Sequence, residues 1–356
     1  MPSNLTYVKY SMKCNYLENQ ITIRSDGQYR LCCVSTEPDN KENINSHVPS
    51  EWRESETYQT ARKMLEQNEW PSACIKCKTQ EEAGVKSKRT NTDILGPGIS
   101  HLDLKLGNSC NLKCISCWNM SSSSIAEEEH EMIKKGVPIT SKIIDVTNIN
   151  WSSEDNFKKL ENLPLQEVYF TGGEPMMVKH VPEFLERLDP STHIRFNTNC
   201  TITNPRLEKI LKRFHTVSLS LSLDAVDRKI EYIRYGSKWT AVEENARRFS
   251  DNFIVSISPT ISILNAWFYD DICEYADKNN WQVYENLLLM PSWLSCKNAP
   301  ASLKEKFQRV NPNWYNDNPS LLEIENFKSN IQRLDQWRNI RLRDYLPTVA
   351  DAYDIN

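Results

Sequence analysis

A chain of 356 residues is long enough for two or three domains, each with its own core. Its 43 Lys+Arg nearly balance 47 Asp+Glu, for a net charge of −4, which excludes the basic surface of a dedicated nucleic-acid binder. With 39% hydrophobic residues, no run of ~18 apolar residues and no signal-like apolar stretch at the start, the sequence reads as soluble and cytoplasmic, without a membrane span.

Residues 1 to 90 bear cysteines and are weakly periodic. Residues 20–24 and 28–33 alternate around Asp26-Gly27, which predicts a small β-hairpin. Residues 50–67 predict a helix, and Pro71 stops it ahead of Cys74-Ile-Lys-Cys77. The stretch 84–97, rich in Lys, Arg, Thr and Gly, reads as a linker. From His101 onward, short apolar strands alternate with amphipathic helices. The strands are expected at 101–106, 167–170, 193–197, 216–221, 253–258 and 282–288. Helices are expected between them at 154–160, 181–188, 205–214, 240–249 and 266–278, the first opened by capping Ser152 and Ser153. Six strands in such alternation predict a parallel α/β sheet, either doubly wound or an incomplete barrel. Beyond Met290 the strands end, 320–338 predicts a helix, and any helix in 343–353 must break or restart at Pro347.

The cysteines carry the chemistry. There are 11, an odd number, and eight lie within the first 117 residues, which suits metal ligation better than a disulfide scaffold. At the end of the first strand of the alternating zone stands Cys110-x3-Cys114-x2-Cys117. Three thiolates on one loop bind three irons of a [4Fe–4S] cube and leave the fourth iron open to a small molecule. Structural zinc takes four ligands, and no fourth Cys or His lies close in this loop.

This motif resembles the radical S-adenosylmethionine (radical SAM) superfamily, as does Tyr169-Phe-Thr-Gly172-Gly173-Glu174-Pro175 at the end of the second strand. The resemblance implies that Cys110, Cys114 and Cys117 hold the SAM-binding cluster. It implies that Gly172, Gly173 and Glu174 hold the methionyl amino group. Asn197 ends the third strand, beside Thr198-Asn199, where the family often has a Thr-Asn pair. Ser222 and Asp224 resemble the Ser-x-Asp segment that contacts the SAM ribose, and Arg234 matches a recurrent arginine near the methionine carboxylate. The residue before the third cysteine is usually aromatic in the family; here it is Ser116, and Trp118 is the candidate cover for the adenine. Asn265 follows the fifth strand at a position often polar in the family, and for it and Asn199 a plain helix-cap or surface role is an even alternative.

A second set, Cys14, Cys32, Cys74 and Cys77 around Gly27, resembles the opening half of a SPASM domain or its shorter relative, the twitch domain. That implies one auxiliary [4Fe–4S] cluster, two clusters in all. Zinc on the same four thiolates stays open, as does Cys33 in place of Cys32. In the family the auxiliary domain follows the core, whereas here it precedes it. Cys200, Cys273 and Cys296 read as buried small hydrophobes, Cys296 being the one nearest a strand end.

The resemblance implies a partial (β/α)6 TIM-like barrel over 98–290, an α+β auxiliary domain over 1–90 and a helical extension over 291–356. The implied activity is reductive cleavage of SAM to a 5′-deoxyadenosyl radical, which abstracts a substrate hydrogen. The leading expectation is oxidation of a peptide or protein side chain, with flavodoxin or ferredoxin as reductant. A small-molecule substrate, such as a sugar or nucleotide, is the alternative; a non-catalytic iron–sulfur electron-transfer protein is a further one.

Overall fold

The computed structural model describes residues 12–36, 41–90, 98–139, 149–307, 309–316 and 318–356. Part of the expected linker, 91–97, lies outside the described residues. The strands are β1 (Gln20–Ile23), β2 (Tyr29–Arg30), β3 (His101–Lys105), β4 (Glu167–Thr171), β5 (His193–Thr198), β6 (Val217–Leu221), β7 (Ile254–Ile257), β8 (Thr260–Ile261), β9 (Gln282–Val283) and β10 (Asn286–Leu287). Eight of them form one sheet in the order β2-β1-β3-β4-β5-β6-β7-β9. Every pairing described in it is parallel except β1 with β2. The class is therefore α/β with a mostly parallel sheet, as the alternation predicts, and a helical C-terminal tail follows it.

The expected hairpin forms, but it does more than close on itself. Strand β1 also pairs parallel with β3, from Gln20 opposite His101 to Ile23 opposite Leu104. Its burial explains why: all four residues of β1 are buried, as a strand flanked on both sides requires. Other expectations are refined. The helix expected at 50–67 is two helices, Pro49–Glu54 and Glu56–Glu66. Ser55 between them is extended, with ψ 152°, and its side chain accepts from Tyr58 N to start the second. The strand expected at 282–288 divides into β9 in the main sheet and β10, which pairs with β8 in a separate two-stranded sheet. The restart at Pro347 is observed, giving helices Leu342–Tyr345 and Pro347–Ala352. Helices Ile75–Glu82 and Ser123–Lys134 were not among the expected elements.

The chain divides into two compact units. The first comprises Met1–Ser109, Asp145–Arg195 and Lys209–Thr216; the second comprises Cys110–Ile144, Phe196–Glu208 and Val217–Asn356. In the first, Leu102, Leu104, Val168 and Phe170 are wholly buried on one face of β3 and β4. Phe184 stacks on Phe157 at 4.7 Å and meets Phe170 edge-on. The opposite face carries His101, Asp103 and Lys105 beside Glu167, Tyr169 and Thr171. In the second unit, Leu219, Leu221 and Ile257 of β6 and β7 are buried, as are Val242, Ala246 and Phe249 of helix Trp239–Ser250. Each such Leu, Ile, Val or Phe side chain contributes about 1.5–3 kcal/mol by burial. Helix Leu321–Arg338 joins this core through Phe327, which stacks on Tyr353 at 3.9 Å.

Candidate functional site

In the first unit, β3 and β4 each end in a loop that carries a motif. Gly172 has φ +80° and Gly173 φ +49°, and a Cβ on Gly173 would lie 2.3 Å from the Ser109 carbonyl oxygen. Only glycine permits that approach. Glu174 N donates to the same oxygen at 2.6 Å, so the Gly-Gly-Glu loop is laid against the residue that precedes Cys110 in the chain. The Glu174 side chain is wholly buried, and its Oε1 accepts from Met176 N at 3.1 Å.

In the second unit, the cysteine loop is held from two sides. Ser122 Oγ donates to Leu112 O at 2.6 Å and Ser124 Oγ to Cys110 O at 2.8 Å, both from the start of helix Ser123–Lys134. Lys113 N and Ile115 N donate to Tyr235 O and Ile233 O, each at 2.9 Å. That pairing brings Arg234 onto the loop, where its Nη1 donates to Cys114 Sγ at 3.9 Å. Arg234 Nε lies 2.9 Å from Asp224 Oδ2, and Thr260 N donates to Asp224 Oδ1 at 2.7 Å. The Asp224 carboxylate is wholly buried and so engaged within the protein. Asn265, also wholly buried, donates to Asp224 O at 2.9 Å, which makes it a brace for this corner.

Asn199 is the residue the sequence undervalued. Its Nδ2 donates to Cys110 Sγ at 3.9 Å and to Asn111 Oδ1 at 2.9 Å. Its own Oδ1 accepts from Thr201 Oγ1 at 2.6 Å, which fixes the amide orientation. The signal available in sequence was its place directly after β5. Asn197 lies within the end of β5 and is half-buried, and Ser222 N donates to Thr198 O at 2.9 Å. Trp118 is 52% exposed and donates from Nε1 to Ser121 Oγ at 2.9 Å.

Burial pushes the Cys114 thiol up to about 12, with Arg234 opposing and Cys117 and Cys110 adding to the rise. Burial likewise pushes Cys117 up to about 11, with Cys110 contributing. The three sulfurs therefore sense one another, and gathered thiolates need cationic partners to exist there. That donor set, with N–H groups already aimed at two of the sulfurs, fits an iron–sulfur cluster. Beside the loop opens a cavity of ≈ 680 Å³, lined by Cys114, Cys117 and Trp118 and by residues of helices Ser123–Lys134 and Leu321–Arg338.

The first unit holds the second thiol set. Cys14, Cys32, Cys74 and Cys77 line one pocket, with Trp70, Lys88 and Arg89 among its walls. Burial raises Cys14 and Cys32, the neighbouring thiols add to the rise, and Arg89 opposes it at Cys14. Cys33 is not among the lining residues; burial, and after it the nearby Asp103 carboxylate, raise its thiol. Among the described residues, no three of His, Cys, Asp and Glu converge closely enough to hold a single metal ion. A cubane takes its thiolates from farther apart than one ion does. Cys200 and Cys296 are wholly buried and Cys273 is half-buried, consistent with small hydrophobes.

Residues 104–278 match the Radical SAM superfamily. That stretch is similar to a radical SAM domain and makes up just under half of the chain. That superfamily implies a [4Fe–4S] cluster and SAM. A "Probable GTP 3′,8-cyclase" of Methanocella arvoryzae is 31% identical over 140 residues, covering 38% of this chain and 38% of that protein. A "GTP 3′,8-cyclase" of Clostridium botulinum is 24% identical over 137 residues, 37% of each chain. The chain thus spans well under half the length of the curated relatives it matches. Among solved structures, "Native anSMEcpe with bound AdoMet" gives a TM-score of 0.38 at 16% identity, over 68% of this chain and 63% of that one. Streptococcus suis SuiB bound to S-adenosylmethionine gives 0.36 at 14%, over 87% and 57%. No helix among the described residues is long and apolar enough to cross a membrane.

Proposed function

We propose that this chain is a radical SAM enzyme whose Cys110, Cys114 and Cys117 hold the SAM-binding [4Fe–4S] cluster. The observation that carries the reading is the three-thiol loop with Arg234 and Asn199 donating to two of its sulfurs. The cofactor pair supplies a 5′-deoxyadenosyl radical that abstracts a hydrogen from the substrate. The protein's part is to hold, orient and shield. Gly172, Gly173 and Glu174 serve the methionyl amino group, and Trp118, Asn197, Ser222, Asp224 and Arg234 complete the SAM contacts. A flavodoxin or ferredoxin is the proposed reductant.

Cys14, Cys32, Cys74 and Cys77 are the proposed ligands of a twitch-like auxiliary cluster, supported by the pocket they share. Cys32 is preferred to Cys33 because it lines the pocket with the other three thiols and Cys33 does not. The proposed substrate step is oxidation of a peptide side chain, the auxiliary cluster accepting the electron. A small-molecule substrate is the second reading. The names of the cyclase relatives favour it, as does a cavity volume suited to a small ligand.

The test is anaerobic reconstitution followed by reduction with SAM. About eight irons and release of 5′-deoxyadenosine are expected. About four irons with one tightly bound zinc overturns the auxiliary-cluster reading. Retained 5′-deoxyadenosine formation after replacing Cys110, Cys114 and Cys117 with Ala overturns the radical SAM reading itself.

A further inference from the structure

We infer that the cavity beside Cys114 and Cys117 takes a substrate with an anionic group, a phosphate or a carboxylate, received by Arg333 and Arg338. The inference rests on the radical SAM reading and names its substrate class. The cavity, ≈ 680 Å³, lies in the range of small-ligand sites, and Ile115, Ile125, Met132 and Leu334 give it apolar walls.

Its charges are unevenly partnered. Arg338 Nε and Nη2 donate to the two oxygens of Glu128 at 3.1 and 2.7 Å, and Lys113 Nζ lies 3.6 Å from the same carboxylate. Glu128 is thus met by two cations. Glu129, the other carboxylate of the cavity, accepts from Asn119 Nδ2 at 2.9 Å. Arg333 gives its Nη groups to neutral oxygens, Pro138 O at 2.8 Å and Asn330 Oδ1 at 2.9 Å. Among the lining residues Arg333 and Arg338 equal Glu128 and Glu129 in number, and Lys113, outside the lining, gives Glu128 a second cation.

Two guanidinium nitrogens are left without an acceptor among the described residues. Arg333 Nε and Arg338 Nη1 are both buried and, among the described residues, donate to no hydrogen-bond partner, the Arg338 guanidinium lying over the Tyr235 ring at 4.6 Å. Arg338 lies deepest, its side chain only 3% exposed, held in place by Glu128. Buried donors without partners are uncommon and mark a missing acceptor. Burial also holds the Arg333 guanidinium below its ordinary value, with Glu129 offsetting only part of the effect. A planar fork fixed by neutral acceptors, beside a second one fixed by a carboxylate, suits an oxyanion better than a cation or a neutral ring. Seated there, the anion places the rest of the substrate against the cysteine loop.

The test is titration calorimetry on the reconstituted, SAM-loaded full chain, with GTP and tripolyphosphate as phosphate probes and citrate as the carboxylate probe. Wild type is expected to bind one class, and the class that binds identifies the anion. Arg333→Gln is expected to weaken that binding at least tenfold, with Arg333→Lys recovering part of it. Leu334→Trp, which fills the cavity without changing its charge, is expected to block binding; circular dichroism checks that both variants fold. Failure of every probe, or binding unchanged in Arg333→Gln or in Leu334→Trp, overturns the inference. If wild type forms 5′-deoxyadenosine while no probe binds, the inference fails and the radical SAM reading stands. Probe binding without 5′-deoxyadenosine sinks the radical SAM reading instead.

Discussion

Arg234 touches a sulfur with one nitrogen and a buried carboxylate with another, so its position is set before any cluster arrives. Hydrogen bonds and positive charge at cluster sulfurs favour the reduced state. Arg234→Gln is therefore expected to shift the cluster midpoint to a more negative potential, read by redox titration with electron paramagnetic resonance detection. An unchanged midpoint would assign Arg234 to packing alone. A second residue-scale prediction concerns Cys296. Burial raises its thiol from an ordinary 9.0 to about 12, so the fold resists its ionisation. Its contribution to stability is present below pH 9 and is lost as pH rises toward about 12. Unfolding midpoints of the metal-free chain should fall across that window, and less steeply in Cys296→Ala. At this scale the cysteine spacing and the Gly-Gly-Glu motif were legible, because local sequence alone creates them. The role of Asn199 was not, since it depends on β5 delivering that amide to a loop 88 residues away in sequence.

The Gly-Gly-Glu loop shows what an element can demand of one position. Ala at Gly173 would meet the Ser109 carbonyl oxygen at 2.3 Å in a left-handed backbone. Gly173→Ala is expected to cost about 1–3 kcal/mol and to move the Ser109 backbone, weakening SAM binding together with the unfolding midpoint. Near-wild-type SAM affinity in this variant would show that the loop has room to adjust. Most elements followed from periodicity, since alternation of apolar residues marks a half-buried strand wherever it falls. The break at Ser55 was missed because its helix-capping hydroxyl sits inside a continuous helical pattern. Helix Ser123–Lys134 was missed because it follows the cysteine motif directly, with little turn between.

Taken whole, the molecule does not separate its cysteine-rich start from its sheet. The pairing of β1 with β3 joins segments about 80 residues apart, which no local pattern reveals. Deleting residues 1–90 removes that neighbour and bares the edge of β3, whose Leu102 and Leu104 are wholly buried. The truncated chain is expected to aggregate rather than fold, and size-exclusion chromatography with circular dichroism decides it. A monodisperse, helical truncated protein would show that β1 is dispensable to the sheet.

The same pairing has a consequence for synthesis. Cys14, Cys32, Cys74 and Cys77 are all synthesised before any residue of β3. At the usual pace of translation, β1 waits roughly 4–16 s for the strand it must join. Once β3 arrives, the hairpin is locked from its other edge. The order of synthesis thus puts the N-terminal thiols ahead of the three-cysteine loop, with the β1–β3 pairing made between them.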